Sequence, residues 1–116
     1  MQNSDCIFCK IVDGSIPGDI VYQDDDVIAF RDINPQSPLH LLVIPCQHFT
    51  SLNDISLQQE SLMGHMVCVA NQLARDEGIS EMGYRLVINC GKQGGQLVPH
   101  LHLHLMGGKQ LSEQLG

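Results

Sequence analysis

The sequence has no tryptophan, and only 4% of its 116 residues are aromatic. Its core must therefore be built mainly from aliphatic side chains, and a chain of this length can bury one of moderate size. Cations are scarce as well. Six Lys and Arg against 13 Asp and Glu leave a net charge of −7. Such a surface repels phosphate backbones and anionic headgroups, so no nucleic-acid duplex and no membrane is expected as a partner. A small anionic ligand remains compatible if local donors hold it. No apolar run approaches the roughly 20 residues of a membrane span. The polar start MQNSDCIFCK lacks the apolar stretch of a secretory leader. Five cysteines is an odd count with no secretory context, which argues against a disulfide framework. The expectation is a cytoplasmic protein with reduced thiols. Repeats, low-complexity tracts and long linkers are also missing, so residues 1–116 read as a single domain.

What the chain does have is PHLHLHLMGG, residues 99–108, in which His100, His102 and His104 alternate with leucines. In an extended strand, successive side chains face opposite ways. The three histidines then share one face, while Leu101, Leu103 and Leu105 share the other and pack on a core. The histidine face must meet solvent, a metal or a ligand. Imidazoles at i and i+2 are common in zinc and iron sites. A neutral imidazole can also attack phosphorus, with a second one protonating the leaving group. The Gly-rich loop GKQGGQ just before the strand favours phosphoryl chemistry, because such loops let backbone N–H groups approach phosphate oxygens.

The other elements follow from local pattern. Residues 5–13 predict a short helix with Asp5 as N-cap and Gly14 just past its end. Strands are predicted over 20–23 and 27–32, forming a hairpin around Asp24, Asp25 and Asp26, and over 39–45 in the apolar LHLLVIP. Ser56 and Gln59 have the spacing of a capping box, and Leu62, Met66, Val69, Ala70 and Leu73 form an apolar stripe. A long helix from Ser56 to about Glu77, stopped by Gly78, follows. Strands over 84–90 and 97–106 complete the chain. One long helix interrupting several strands excludes repeated βαβ units. It predicts an α+β fold with a mainly antiparallel five-stranded sheet and one long and one short helix.

The motif His100-Leu-His102-Leu-His104-Leu-Met resembles the signature of the histidine triad (HIT) family. The stretch from Cys6 to Pro45, the GGQ before the triad and the GG after it are similar to the Hint branch, the nucleoside phosphoramidases. That resemblance implies a HIT-like fold and hydrolysis of purine nucleoside 5′-phosphoramidates through a nucleotidyl-histidine intermediate, with no catalytic cofactor. His102 matches the nucleophile, and His100 the residue whose carbonyl orients it. His104 matches a contact to phosphate and leaving group, and His40 the fourth active-site histidine. Asn89 and the Gly95–Gln96 backbone match the phosphate cradle, and Asp32 the carboxylate that accepts from the ribose hydroxyls. Phe8, Ile11, Phe30, Ile33 and Leu42 match the apolar slot for the purine, although by residue type alone each could be ordinary core. The resemblance implies AMP or GMP and their phosphoramidates as ligands, and a homodimer built by extending the sheet and packing the long helices. Two other activities remain open: hydrolysis of dinucleotide polyphosphates or other adenylyl conjugates, and nucleotide binding with little turnover. A hydrolase using the triad as zinc ligands is a further class.

Two features depart from, or add to, the phosphoramidase pattern. Leu97 stands where that branch commonly has a polar residue near the leaving group, Pro99 supplies no N–H directly before the triad, and the tail KQLSEQLG is short. Cys6 and Cys9 form a Cys-x-x-Cys with no preceding strand, so a thioredoxin-like role does not fit. They are either two small buried residues or, as in some similar bacterial proteins, ligands with His48 and His100 of a structural zinc. No role is expected for Cys46, Cys68 or Cys90, and His65 is expected on an exposed helix face.

Overall fold

The computed structural model describes residues 3–115. Met1, Gln2 and Gly116 lie outside the described residues. Five strands form one antiparallel sheet in the order β1-β2-β3-β5-β4. They are β1 Ile20–Gln23, β2 Val27–Arg31, β3 Leu39–Pro45, β4 Tyr84–Val87 and β5 Leu103–Gly107. A short helix, α1 (Ile7–Val12), precedes them, and a long helix, α2 (Glu60–Asp76), separates β3 from β4. This is the α+β architecture expected from the element pattern, with the hairpin at Asp24–Asp26 and β3 spanning the predicted residues.

The two helices cover opposite faces of the sheet, and the period of two sorts the side chains between them. Val27, Ala29, Leu39, Leu41, Val43, Leu101, Leu103 and Leu105 pack against Met66, Val69, Ala70, Leu73 and Ala74 of α2. The alternate residues Ile28, Phe30, Leu42 and Ile44 pack against Phe8, Cys9 and Ile11 of α1. β3 is central and covered on both sides, so every one of its residues is buried. His40, four positions before Ile44 on the same face, therefore belongs to the α1 side of the sheet.

Several boundaries differ from the sequence reading. The N-cap of α1 is Cys6, not Asp5: the backbone is extended at Cys6, and its Sγ accepts the Cys9 N–H at 3.4 Å. The Asp5 N–H is taken by the Asn3 side chain instead. The Ser56–Gln59 capping box forms as expected, but it opens a 3₁₀ turn at Leu57–Gln59, and the α-helix proper begins at Glu60. β4 stops at Val87, three residues short of the predicted end. The last strand begins at Leu103, not Leu97. Pro99 explains that delay. The His100 N–H donates to the Val98 carbonyl at 2.8 Å, closing a tight turn around the proline. The Leu101 N–H then donates to the Phe49 carbonyl at 2.7 Å, outside the sheet ladder. His100 and His102 thus precede β5, yet the extended chain keeps the alternation: the leucines still enter the α2 core.

His65 is not simply exposed. Its Nε2 lies 2.6 Å from Asp24 Oδ2, which also accepts from the Tyr22 hydroxyl at 2.6 Å. Burial works against the Asp24 carboxylate, but Tyr22, His65 and the Asp26 and Val27 N–H groups outweigh it and hold its pKa well below the usual carboxylate range. This cluster ties α2 to the first hairpin.

Leu41 is fully buried at the middle of β3. The substitution Leu41→Ala should destabilise the fold by about 2–5 kcal/mol, measured as a lower midpoint in urea with an unchanged slope.

Candidate active site

Four imidazoles gather on the α1 side of the sheet, carried by β3, by β5 and by the extended segment before it. The His102 Nδ1–H donates to the His100 carbonyl at 2.7 Å. A carbonyl can only accept, so the ring hydrogen sits on Nδ1 and the lone pair on Nε2. His102 is 5% exposed, its ring edge-on to Phe8 at 5.3 Å and to His104 at 4.9 Å. On the other side of His104, its Nδ1 lies 2.8 Å from His40 Nε2. Asp32 Oδ2 is 3.5 Å from the same His40 nitrogen, and Asp32 Oδ1 accepts from the Asn34 N–H at 2.9 Å.

Burial keeps this group neutral. It lowers the pKa of His102, against the raising effects of the His100 carbonyl and of Asp32. It lowers that of His40, with Asp32 opposing and His102 reinforcing the shift. His104 is brought down to about 4 by burial, with His102 and His40 adding to it and Asp32 opposing. At neutral pH the site therefore offers an imidazole with a bare nitrogen, the condition for nucleophilic attack.

Beside it lies a second cluster. The His100 Nε2–H donates to the Pro45 carbonyl at 3.0 Å, which leaves the Nδ1 lone pair facing inward. That Nδ1 is 3.2 Å from Cys6 Sγ, 3.6 Å from Cys9 Sγ and 3.1 Å from His48 Nδ1. Cys9 Sγ and His48 Nδ1 are 3.3 Å apart, and His48 Nε2 is 3.3 Å from the Thr50 hydroxyl. All four inward atoms lie within 4.8 Å of one another. Around a tetrahedral zinc, with Zn–N near 2.0 Å and Zn–S near 2.3 Å, ligand atoms stand about 3.3–3.8 Å apart. Two sulfurs and two ring nitrogens, packed this closely on electron-rich sides, fit a cation at their centre. The outer nitrogens of both histidines are engaged with oxygens, as metal-ligating imidazoles require. Burial pushes the Cys9 thiol pKa up, and Cys6 and Asp13 add to it while the Asn3 backbone contact opposes. A metal ion would offset that cost.

The nucleotide-binding residues expected from the resemblance are only partly gathered. Phe8, Ile11, Phe30 and Leu42 are at most 8% exposed and belong to the core beneath α1, with the Phe8 and Phe30 rings 5.4 Å apart. Ile33 is 97% exposed and outside that cluster. The Gly-rich loop closes on itself: the Gly95 and Gln96 N–H groups donate to the Lys92 and Gly91 carbonyls, and Asn89 Nδ2 donates to the Gly94 carbonyl at 2.8 Å. Gly94 has no alternative, since a Cβ there would lie 2.4 Å from the Cys90 carbonyl oxygen. Leu97, next to this loop, is 92% exposed. Two clefts of about 630 Å³ lie elsewhere, one between β4 and the tail and one between the first hairpin and the start of α2.

Residue types could not reveal the groups that set the imidazole orientations, because most are backbone atoms. The Pro45 carbonyl, the Gln36 N–H on His40 Nδ1 (3.0 Å) and the Phe49 carbonyl carry no sequence signal. The Gln96 side chain is one that could have been suspected: it accepts from the Gly91 N–H and donates to the Thr50 and Val98 carbonyls, bracing the loop.

Comparison with known proteins agrees with this geometry. The family model "HIT domain" matches residues 13–111. The chain is 51% identical over 109 residues to the purine nucleoside phosphoramidase of Escherichia coli K12, covering 94% of this chain and 92% of that protein. The crystal structure of a HIT family hydrolase from Legionella pneumophila superposes with a TM-score of 0.93 at 49% identity, covering 96% of this chain and 99% of the other. A histidine triad protein from Clostridium difficile gives 0.96 at 45% identity, covering 99% and 100%. The chain belongs to the HIT family.

Proposed function

We propose that this protein is a nucleotide hydrolase that cleaves purine nucleoside 5′-phosphoramidates through a nucleotidyl-histidine intermediate. The observation that carries the reading is the 2.7 Å contact from His102 Nδ1 to the His100 carbonyl, which leaves Nε2 bare. His102 Nε2 attacks phosphorus in line and a P–N bond to nitrogen forms on the enzyme. The substrate's own P–N bond breaks, and the leaving nitrogen takes up a proton from solvent water as the amine departs. Water then attacks the nucleotidyl-histidine and releases the nucleoside monophosphate. Stabilising the charge on the phosphoryl oxygens is the main electrostatic task. His104 and the loop carrying Asn89, Gly95 and Gln96 are assigned to it. Asp32 is assigned to the ribose hydroxyls, and Phe8, Ile11, Phe30, Ile33 and Leu42 to the base. For the loop N–H groups to bind phosphate, they must share or release their present partners.

Cys6, Cys9, His48 and His100 are assigned to one structural zinc. When bound, it supplies a cross-link between the N-terminus of α1 and the segment leading into the triad. The reading treats residues 1–116 as one domain and pairs two chains through β4, which ends the sheet, and through α2, where Val67 and Cys68 are exposed. Among the described residues, no helix is long and apolar enough to cross a membrane, which is compatible with a cytoplasmic enzyme. Leu97 favours one second reading. An exposed leucine cannot hydrogen-bond a leaving amine, so a dinucleotide polyphosphate or another adenylyl conjugate would replace the phosphoramidate as substrate.

The first test is AMP release from adenosine 5′-phosphoramidate, with and without a strong chelator. The wild type should turn over in both conditions, and His102→Ala should lose about 10³-fold or more in kcat. AMP binding without release would overturn the phosphoramidase reading. Elemental analysis of the purified protein should give zinc at one per chain, and Cys6→Ala/Cys9→Ala should lose it and unfold at lower temperature.

Acid should destabilise the fold. The His104 pKa is about 4 in the folded chain against an ordinary 6.5, so between these values the unfolded chain binds more protons. Stability is complete above pH 6.5 and falls as pH drops toward 4. Calorimetric Tm should follow that course, and His104→Asn should make the fall shallower.

A further inference from the structure

We propose that the backbone amide of Gln36 fixes His104 as a neutral hydrogen-bond donor to the substrate's phosphoryl or leaving-group atoms, and that the same amide keeps metal ions off the Asp32–His40–His104 trio. The first half of this inference rests on the phosphoramidase reading; the second does not.

The Gln36 N–H can only donate, and it points at His40 Nδ1 from 3.0 Å. That nitrogen must therefore hold a lone pair, and the hydrogen of the neutral ring must be on Nε2. The nearest acceptor for this Nε2–H is His104 Nδ1 at 2.8 Å, with Asp32 Oδ2 farther away at 3.5 Å. His104 Nδ1 then accepts, so the His104 hydrogen is on Nε2. His102 is held in the opposite state by the His100 carbonyl, with its hydrogen on Nδ1. Two rings 4.9 Å apart thus present complementary groups, a lone pair on one and an N–H on the other. The N–H of a neutral imidazole is a strong enough donor to bind an oxyanion but a very weak acid. His104 accordingly stabilises charge by hydrogen bonding and does not hand over its proton. Gln36 acts through His40 and is a positioning residue.

The same hydrogen settles a second question. Asp32, His40 and His104 bring a carboxylate oxygen and two ring nitrogens within 4.8 Å, the composition of a two-histidine, one-carboxylate metal site. Ligation through His40 Nε2 would force the ring hydrogen onto Nδ1, directly against the Gln36 N–H. At the cysteine cluster the outer partner of His100 is a carbonyl, and the inward nitrogen is free to ligate. One backbone donor and one backbone acceptor therefore separate a hydrogen-bonding site from a metal-compatible one.

The test is long-range ¹H–¹⁵N spectroscopy of the histidine-labelled, zinc-loaded protein at neutral pH. His40 and His104 should both carry hydrogen on Nε2 alone, and His102 on Nδ1 alone. Hydrogen on Nδ1 of His40 or His104, or an imidazolium at either, would overturn the proposal whether or not the protein releases AMP. Gln36→Pro deletes the one N–H. It should mix the two tautomers of His104, lower kcat for adenosine 5′-phosphoramidate about tenfold, roughly the weight of one hydrogen bond, and leave KM nearly unchanged. Titration with Co²⁺ should show one visible-absorbing site per chain in the wild type and a second in Gln36→Pro. A second site in the wild type that His40→Gln removes would overturn the exclusion of metal. If Gln36→Pro does not fold, the wild-type spectra and the wild-type Co²⁺ titration still decide both halves.

Discussion

A neutral imidazole has two nitrogens and one hydrogen, and in this fold the backbone decides which nitrogen keeps it. The carbonyls of His100 and Pro45 demand an N–H, and the amide of Gln36 demands a lone pair. These three demands put the ring lone pair on Nε2 of His102, on Nδ1 of His100 and on Nδ1 of His40, where it accepts the Gln36 N–H. β3 underlies two of the three, because Pro45 ends it and His40 is its second residue. Its register against β5, with Leu42 opposite His104, sets the remaining distances. A strand buried on both faces is the right carrier for such a task, since it cannot slip by one residue without sending His40 into the aliphatic core.

Much of this was legible in the sequence, and the reason is periodicity. Alternation through the triad places Leu101, Leu103 and Leu105 on one side and the histidines on the other, and the structure has that division. What periodicity could not show was where the ladder starts. Pro99 reads as a residue tolerated near a strand's start, but it builds a tight turn that delays β5 to Leu103, so two of the three triad histidines stand outside the strand. Helix ends failed for a similar reason: Asp5 has the better capping side chain, yet the extended backbone falls at Cys6. The site was legible through the family motif more than through chemistry. The family motif places Phe8 and Ile33 in one apolar slot, but nothing in their residue type says that one is buried and the other is 97% exposed.

Burying three histidines, His40, His100 and His102, in a chain of 116 residues has a cost that hydrogen bonding must meet. It is met in full among the described residues: no buried side-chain nitrogen or oxygen lacks a partner. Partnering fixes more than stability. A ring with both nitrogens engaged can neither flip nor change tautomer without losing a bond in a low-dielectric setting, so orientation is held by the same contacts that offset burial.

His100 shows how closely the two clusters are joined. Its ring faces Cys6 Sγ at 3.2 Å, while its carbonyl receives the His102 hydrogen at 2.7 Å. A divalent cation held by two thiolates and two neutral imidazoles has no net charge, so its field at His102 is that of a small, balanced cluster and not of a bare ion. An effect of that cluster on the nucleophile must then be positional. The ring can be held at the sulfurs only if the Pro45 carbonyl keeps its bond, and the turn around Pro99 leaves the His100 backbone little freedom to follow a displaced ring. A metal ion in the cysteine cluster would therefore act by fixing where one carbonyl oxygen points, and through it which nitrogen of His102 carries the lone pair.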